Sequence, residues 1–223
     1  MLKNLTVLIP HYNNFRKLDR AIKSCKSLDV MVYDDGSNLE EKLDFNKNVN
    51  VNYANDNNGV AFARNWLVKN CHKKYGVFLD SDDELLSIDY LQESIRLLES
   101  NESLAVVGCF AKDNRGGTKT RPLSINPLYF LWRNPIITSG SVFKISAANE
   151  LRIFDPSITR NFAEDYFFWA RISKKNRLMN LPMYGVIREE SSESLTGSLS
   201  LYKRLFSAII VRLRILSYFL LKN

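Results

Sequence analysis

The sequence predicts an α/β fold with a mostly parallel sheet and helices on both of its faces. Two patterns support this prediction. Through the first half of the chain, short apolar runs alternate with segments whose apolar residues recur at helical spacing. Three of these runs end directly in acidic or polar turns, which is typical of parallel strands whose carboxyl ends carry ligand-binding loops.

The first strand is the apolar run Leu5–Ile9, which Pro10 is expected to end. The next helix follows Asn13-Asn14, a pair suited to cap it, and has apolar residues at helical spacing: Phe15, Leu18, Ile22 and Cys25. Further strands are expected at Val30–Tyr33, Val49–Tyr53, Tyr75–Leu79 and Leu104–Ala111, with helices from about Val60 to Asn70 and around Leu91, Ile95 and Leu98. Because this alternation requires crossover connections, the strands should pair in parallel.

The second half is less regular. Lys112 to Arg121 is polar, basic and glycine-rich, and we expect a mobile surface loop there. A short helix at Phe130–Arg133, a strand at Ser141–Ile145, a helix at Asp165–Lys174 and an extended segment at Leu178–Ile187 follow. Because no repeat, long linker or low-complexity tract interrupts the sequence, we expect one domain over residues 1–197 and a basic helix over 198–223.

The composition is that of a globular protein with a basic surface. The 223 residues are 45% hydrophobic and 25% charged, with a net charge of +7. Such a charge favours phosphate-bearing substrates, an anionic membrane or nucleic acid, but no nucleic-acid motif is present and we expect no nucleic-acid partner. Three widely spaced cysteines and two histidines exclude a disulfide framework and a zinc cluster. No signal segment precedes the first strand, so a cytoplasmic location is expected.

The tail, Leu201–Leu221, is the most apolar stretch of the chain, but Arg212 and Arg214 interrupt it. On a helical wheel one face carries Leu205, Phe206, Ile209, Leu213, Leu216 and Leu220, and the basic residues Lys203, Arg204, Arg212 and Arg214 lie on the other side. Two interpretations stay open. The helix lies in the anionic interface of the inner face of the plasma membrane, or it packs on the domain with a solvated basic face.

Polar residues follow three of the predicted strands at their carboxyl ends. These are Pro10-His11-Tyr12-Asn13, Asp34-Asp35-Gly36-Ser37 and Asp80-Ser81-Asp82-Asp83, with Asn58–Asn65 opening a helix between them. Carboxylates this close repel each other unless a cation holds them, and a divalent cation with a diphosphate would do so. Taken singly, each motif also has a structural explanation as a turn or a helix cap.

The ordered set of motifs resembles the family 2 glycosyltransferases, which have the GT-A fold. The matching segments are Val7–Asn13, Val32–Ser37, Asn58–Asn65, Phe78–Asp83, Ser139–Phe143 and Phe162–Arg171. The resemblance covers roughly residues 3 to 195. It implies a nucleotide-sugar-binding half over residues 1–111 and an acceptor-side half over 112–197.

The resemblance also implies roles for individual residues on the donor side. Asp34 would contact the uracil, and Asp35 would support it. The segment Pro10, His11 and Tyr12 would line the same pocket, Arg64 would brace the base or the diphosphate, and Asp80 with Ser81 would face the ribose and the sugar.

For catalysis, the resemblance implies a metal ligand, Asp82, and a general base, Asp165. Mg²⁺ or Mn²⁺ would stabilise the leaving diphosphate, and the base would deprotonate the acceptor hydroxyl, so that the reaction inverts the anomeric carbon. Auxiliary roles fall to Asp83, Glu164, Trp169 and Arg188. Trp169 is either a core residue or a sugar platform.

One departure from the family pattern is the absence of a histidine in Tyr184–Arg188, where Arg188 would bind the diphosphate instead. The expected function is transfer of a sugar, from a UDP-sugar above all, to a glycan or lipid-linked glycan of a bacterial surface polysaccharide. An oligomer stays open. The alternatives are a non-catalytic nucleotide-sugar-binding protein and a sugar nucleotidyltransferase, although Pro10–Asn14 lacks the glycine that the latter requires.

Overall fold

A computed structural model describes residues 1–38, 48–149, 164–189 and 201–221, and for residues 201–207 it describes the backbone alone. The described strands are β1 (Leu5–His11), β2 (Asp29–Asp34), β3 (Val49–Tyr53), β4 (Tyr75–Phe78), β5 (Glu84–Leu85), β6 (Leu104–Asp113), β7 (Thr118–Lys119), β8 (Ser124–Ile125), β9 (Val142–Lys144) and β10 (Arg177–Arg188). The α-helices are α1 (Phe15–Ser24), α2 (Val60–Asn70), α3 (Ile88–Ser100), α4 (Ile145–Asn149), α5 (Glu164–Ser173) and α6 (Leu201–Leu220). Two 3₁₀ helices span Leu2–Asn4 and Pro127–Leu131.

The strands form one sheet in the order β3-β2-β1-β4-β9-β6-β10-β5, with β7 beside β6 and β8 beside β10. The first four strands pair in parallel, as the sequence predicts. The second half is mixed, because β9 lies antiparallel between β4 and β6.

Strand β1 is longer than predicted, since Pro10 lies inside it and the strand ends at His11. Pairing with β4 stops at Leu8, while pairing with β2 continues to His11. The carbonyl oxygen of Leu8 accepts a hydrogen bond from Leu79 after β4, and that of His11 accepts one from Asp35 after β2. Backbone groups two residues apart in a strand point the same way, so those of Pro10 face the β4 side, where pairing has already ended. The missing N–H of proline therefore costs no hydrogen bond of the sheet.

The polar segment 112–121, expected to be a loop, contains a hairpin in which β7 pairs with the end of β6. Asp113 stabilises the turn, because its Oδ1 accepts from the backbone N–H of Arg115 at 2.9 Å and of Gly117 at 2.7 Å. The expectation of a loop failed here because an aspartate at the start of a turn organises the backbone locally.

Apolar side chains cover both faces of the sheet, as predicted. In β1, Leu8 points to the face covered by α2 and α5, while Val7 and Ile9 point to the face covered by α1 and α3. All three are fully buried. Because β1 pairs in parallel with both β2 and β4, the carboxyl ends of these three strands meet at a common edge of the sheet.

Helix α6 packs on the domain through Val211 and Ile215, which are fully buried. The opposite side of the helix is apolar and exposed: Ile209, Leu213, Leu216 and Leu220 are 53%, 61%, 41% and 72% exposed. The helix thus packs on the domain, while the apolar face predicted from the wheel is exposed, and its contact with a membrane stays a prediction. Within the described ranges, no helix combines the length and apolar character needed to span a bilayer.

Candidate active site

His11 and Asp34 lie opposite each other at the ends of β1 and β2. The Nε2 atom of His11 is 3.8 Å from Asp34 Oδ2, and both side chains are buried. Among the described residues, neither ring nitrogen of His11 nor Asp34 Oδ2 has a hydrogen-bond partner. Burial lowers the pKa of His11 to about 4, although Asp34 acts in the opposite direction. Buried polar atoms without partners indicate a place where a ligand donates and accepts hydrogen bonds.

The turn after β2 fixes this carboxylate. Asp34 Oδ1 accepts from the backbone N–H of Ser37 at 2.8 Å, and Ser37 Oγ accepts from the N–H of Asn13 at 2.6 Å. Gly36 has a φ of +79°, and a Cβ atom there would lie 2.7 Å from the carbonyl carbon of Asp56. The turn therefore requires glycine on both conformational and steric grounds.

Asp35 binds the start of α2. Its Oδ1 accepts from the N–H of Asn58 at 2.9 Å, and its Oδ2 accepts from the N–H of Gly59 at 2.7 Å. Burial raises the pKa of Asp35, and these two hydrogen bonds act against that rise. Both oxygens of Asp35 thus hold the start of α2 against the end of β2. The ring of Tyr12, after β1, is half exposed.

Arg64 of α2 joins two acidic residues that are far apart in the chain. Its Nη2 donates to Asp80 Oδ1 at 2.7 Å, and its Nη1 donates to Glu164 Oε1 at 2.6 Å. The side chain is buried, and although burial disfavours its charge, Asp80 and Glu164 raise the pKa of Arg64 above its usual range. The guanidinium therefore positions the acidic turn after β4 relative to the start of α5.

Three carboxylates crowd the turn after β4. The backbone N–H of Asp83 donates to the carbonyl oxygen of Asp80 at 2.9 Å, which closes the turn around Ser81 and Asp82. Burial, and next the charge of Asp80, raise the pKa of Asp82 and bring that of Asp83 to about 7. Asp83 is held by β10: its Oδ1 accepts from the N–H of Glu189 at 3.1 Å, and its Oδ2 lies 3.5 Å from Nε of Arg188.

This turn fits a divalent cation that also binds substrate oxygens. In the part of the chain that the structure describes, no three histidine, cysteine or acidic side chains converge as a ready-made metal cage. Mg²⁺ and similar hard cations, however, commonly use one or two carboxylates together with substrate phosphates. Asp82, next to Asp80 at the exit of β4, provides oxygen of that type, and a cation there would relieve the repulsion between the carboxylates.

Asp165 lies at the start of α5 and is held on both oxygens. Its Oδ2 accepts from Thr138 Oγ1 at 2.7 Å and faces Asn134 Nδ2 at 3.5 Å, while its Oδ1 accepts from the N–H of Tyr166 at 2.7 Å. Thr138 in turn accepts from Nε1 of Trp169 at 3.0 Å. The carboxylate is only partly buried, so the side chain is oriented and still accessible.

The family model for glycosyl transferase family 2 matches residues 6–150, which is more than half of the chain. The chain belongs to this family. The matched region contains β1, the turn after β2, Arg64, the acidic turn after β4 and Thr138, and it ends before Asp165.

This family 2 member is similar both to curated protein sequences and to solved structures. An uncharacterised glycosyltransferase of Rickettsia felis is 27% identical over 207 residues, covering 86% of this chain and 33% of its own length. The chain thus spans about a third of that relative. Staphylococcus aureus TarS, residues 1–349, in complex with UDP matches with a TM-score of 0.68 at 19% identity, over 97% of this chain and 70% of its own.

A mannosyltransferase of Pyrobaculum calidifontis, PcManGT, in complex with GDP-Man and Mn²⁺, matches with a TM-score of 0.66 at 17% identity. The match covers 95% of this chain and 64% of that one. At such identities, the two structural matches establish that the family 2 chain has the GT-A fold and carry no residue roles.

Two residues of this family 2 site, Thr138 and Asn134, were not predicted from the sequence, and the role of Trp169 was left open. Thr138 and Asn134 contact Asp165, yet neither belongs to a motif, although Thr138 directly precedes Ser139–Phe143. Trp169 is fully buried, so its interpretation as a sugar platform is wrong. Its indole instead contacts Phe168 and Phe143 in the core and reaches the site through its hydrogen bond to Thr138.

Proposed function

We propose that this family 2 member is an inverting transferase that moves a sugar from a nucleotide-sugar donor to an acceptor hydroxyl. The observation that carries the proposal is the placement of Asp165. Thr138 and Asn134 orient the carboxylate, and Arg64 connects its neighbour Glu164 to the acidic turn at Asp80. The same site thus contains a candidate base on α5 and a candidate diphosphate-binding turn after β4.

The donor is a nucleoside diphosphate sugar, with uridine as the base we expect. Asp34 Oδ2, which has no hydrogen-bond partner among the described residues, is suited to accept from the imide N–H of a uracil, and the neutral His11 next to it adds no competing charge. A structural neighbour, TarS, binds UDP, which agrees with this choice, while PcManGT binds GDP-Man and makes guanosine the base to test against it.

The divalent metal is assigned to Asp82, with Asp83 and Asp80 beside it. Mg²⁺ or Mn²⁺ bound there would neutralise charge on the departing diphosphate. The chain's own contribution is to hold the carboxylates in place: Arg64 fixes Asp80, and the backbone N–H of Glu189, directly after β10, fixes Asp83.

Asp165 takes the proton of the acceptor hydroxyl. A base within hydrogen-bond reach of that proton contributes about 10²–10⁴-fold in rate. Because the base approaches the sugar from the side opposite the leaving diphosphate, a single displacement inverts the anomeric carbon. We assign the acceptor to a glycan or lipid-linked glycan of a bacterial surface polysaccharide, made at the cytoplasmic side of the membrane.

The test is turnover by the purified chain with a panel of UDP-, GDP- and dTDP-sugars, in Mn²⁺ or in EDTA, with detection of the released nucleoside diphosphate. We expect release from one donor that EDTA abolishes. Asp82→Ala should remove this activity, because it takes away the oxygen that holds the metal.

Calorimetry of donor binding separates catalysis from binding. Asp165→Asn should bind the donor with wild-type affinity and release product at least about 10²-fold more slowly. The matched control is Asp89→Asn, the same change at an exposed carboxylate in the first turn of α3, which should behave as wild type. Binding without turnover in every variant would support the non-catalytic alternative, and no binding of any nucleotide sugar would overturn both.

A further inference from the structure

Three arginines in the second half of the chain act on one another through their charges: Arg121, Arg133 and Arg188. Burial, and then the charges of Arg133 and Arg188, lower the pKa of Arg121. Like charges that act on each other in this way lie close together, so these side chains form one positive cluster.

A buried asparagine of β10, Asn180, holds together the two chain segments that carry Arg121 and Arg133. Asn180 Nδ2 donates to the carbonyl oxygen of Pro122 at 2.7 Å and to that of Pro135 at 3.0 Å. Pro122 directly follows Arg121, and Pro135 lies two residues after Arg133. Asn180 therefore anchors both segments from the core, while the side chain of Arg133 is exposed and that of Arg121 is partly buried.

Two of the three arginines have no ion-pair partner within the described ranges. Arg188 lies 3.5 Å from Asp83, but no carboxylate there comes within 4.0 Å of Arg121 or Arg133. Arg121 Nη1 donates to the carbonyl oxygen of Thr120 at 3.0 Å, and its Nε is buried without a hydrogen-bond partner among these residues. A buried guanidinium edge without a partner is costly, and a bound anion would remove that cost.

The cluster lies next to the candidate base. Arg133 immediately precedes Asn134, whose Nδ2 faces Asp165 Oδ2 at 3.5 Å. On the other side of Arg133, Trp132 is 79% exposed and borders a groove of about 410 Å³ lined also by Leu128, Tyr129 and Asn126. A molecule that places its hydroxyl at Asp165 would thus pass the arginines and the aromatic groove.

We propose that Arg121 and Arg133, with Arg188 on their donor-facing side, bind a phosphate group of the acceptor. The acceptor class is then a phosphate ester, either a polyol phosphate or a lipid-linked diphosphate. This inference rests on the proposed function, since it assigns the acceptor of the same reaction. Paired guanidinium groups suit a phosphate because each presents two parallel N–H donors to its oxygens.

The experiment is a calorimetric titration of the full chain, first saturated with Mn²⁺ and the nucleoside diphosphate that it binds, so that the donor site is filled. The two probes are sn-glycerol 3-phosphate, for a polyol phosphate, and farnesyl diphosphate, for a lipid-linked acceptor. We expect at least one probe to bind, with affinity about tenfold or more weaker in Arg121→Gln and in Arg133→Gln. The stronger probe identifies the source of the phosphate.

The matched control is Arg177→Gln, which removes an exposed arginine at the other end of β10 and should leave both affinities unchanged. Arg121→Lys should retain more affinity than Arg121→Gln, because it keeps the charge and loses only the fork. Unchanged nucleotide binding in each variant verifies the fold and keeps this test separate from the donor proposal.

Two results would overturn the inference. One is the absence of binding of either probe to the nucleotide-saturated wild type, even though the nucleotide binds. The other is probe binding that appears only without nucleotide, which would assign the arginines to the donor diphosphate. If no nucleotide binds, the donor proposal fails. The same titrations are then done on the chain without nucleotide, and loss of probe affinity in Arg121→Gln and Arg133→Gln tests the arginines independently.

Discussion

At the scale of single residues, the acidic side chains of the site differ in what surrounds them. Asp35 gives both oxygens to the backbone of α2, whereas Asp34 keeps one oxygen without a partner among the described residues. Asp165 is oriented by the hydroxyl of Thr138 and stays accessible. The sequence indicates the carboxylates, but only their hydrogen bonds separate structural support from ligand contact.

Thr138→Val should lower kcat by about 10–100-fold, since it removes the hydrogen bond to the charged Asp165. The KM for the donor should stay unchanged, because Thr138 does not contact the base pocket. Steady-state kinetics with the active donor measure both constants. Thr138→Ser, which keeps the hydroxyl, should restore most of kcat, and failure of this rescue would indicate a purely structural role.

His11 makes folding stability depend on pH. Its pKa is about 4 in the folded chain and near 6.5 when unfolded, so between these values the unfolded state binds more protons. Stability should be fully present above pH 6.5 and fall as the pH drops through 4, by up to about 3 kcal/mol from this group.

The check is urea unfolding of wild type and His11→Asn across pH 4 to 7. The variant should show a flatter dependence than wild type, with Asp34 present in both. Equal slopes in the two proteins would contradict a buried neutral histidine at this position.

At the scale of elements, the long helices and the inner strands were predictable because their apolar periodicity is unbroken. The two-residue strands β5, β7 and β8 were not, since they have no pattern of their own and form by pairing with neighbours. The prediction that β1 ends at Pro10 was wrong for a related reason. A proline disrupts a strand only where its missing N–H would have faced a paired neighbour, and that depends on tertiary pairing.

Gly36→Ala should destabilise the chain more than Gly116→Ala and should also weaken nucleotide binding. Both glycines have positive φ, which costs other residues about 1–2 kcal/mol. A Cβ at Gly36 would also meet the backbone of Asp56, whereas nothing lies within 4 Å of one at Gly116.

Denaturant unfolding and nucleotide calorimetry on the two variants measure this difference. The excess cost at Gly36 isolates the steric clash in the turn that carries Asp34 and Asp35, because the backbone strain is shared by both variants. Equal losses of stability would mean that the turn adjusts to the added methyl group.

At the scale of the whole molecule, the order of the motifs predicted that one sheet edge carries the donor-side residues. It did not predict how that edge connects to α5, because the Arg64–Glu164 pair spans 100 positions of sequence. Such a pair leaves no local pattern. The arginine cluster was hidden likewise, since the segments that carry Arg121 and Arg133 are brought together by the buried side chain of Asn180 on β10.

Helix α6 is apolar on two opposite sides, and we propose that its outer side lies on an anionic bilayer. The full chain should float with phosphatidylglycerol vesicles at low salt and less so with phosphatidylcholine vesicles. Leu213→Glu should weaken this binding roughly tenfold, because an exposed leucine would otherwise enter the interface.

Ser217→Glu is the control, since it adds the same charge at an exposed position of α6 beside the apolar side. It should retain more binding than Leu213→Glu. If neither lipid binds, or both variants lose binding equally, the outer side of α6 does not dock on the membrane as proposed.

The bridge made by Arg64 has a consequence for evolution and for protein engineering. Exchange of the second half of the chain between family members would keep Arg64 and Asp80 but bring in a new residue at position 164. A chimera lacking an acid there would leave this buried cation without its carboxylate partner on α5. Recombination between such genes should therefore succeed mainly where both parents share this charge pair, so that donor and acceptor specificities are inherited together.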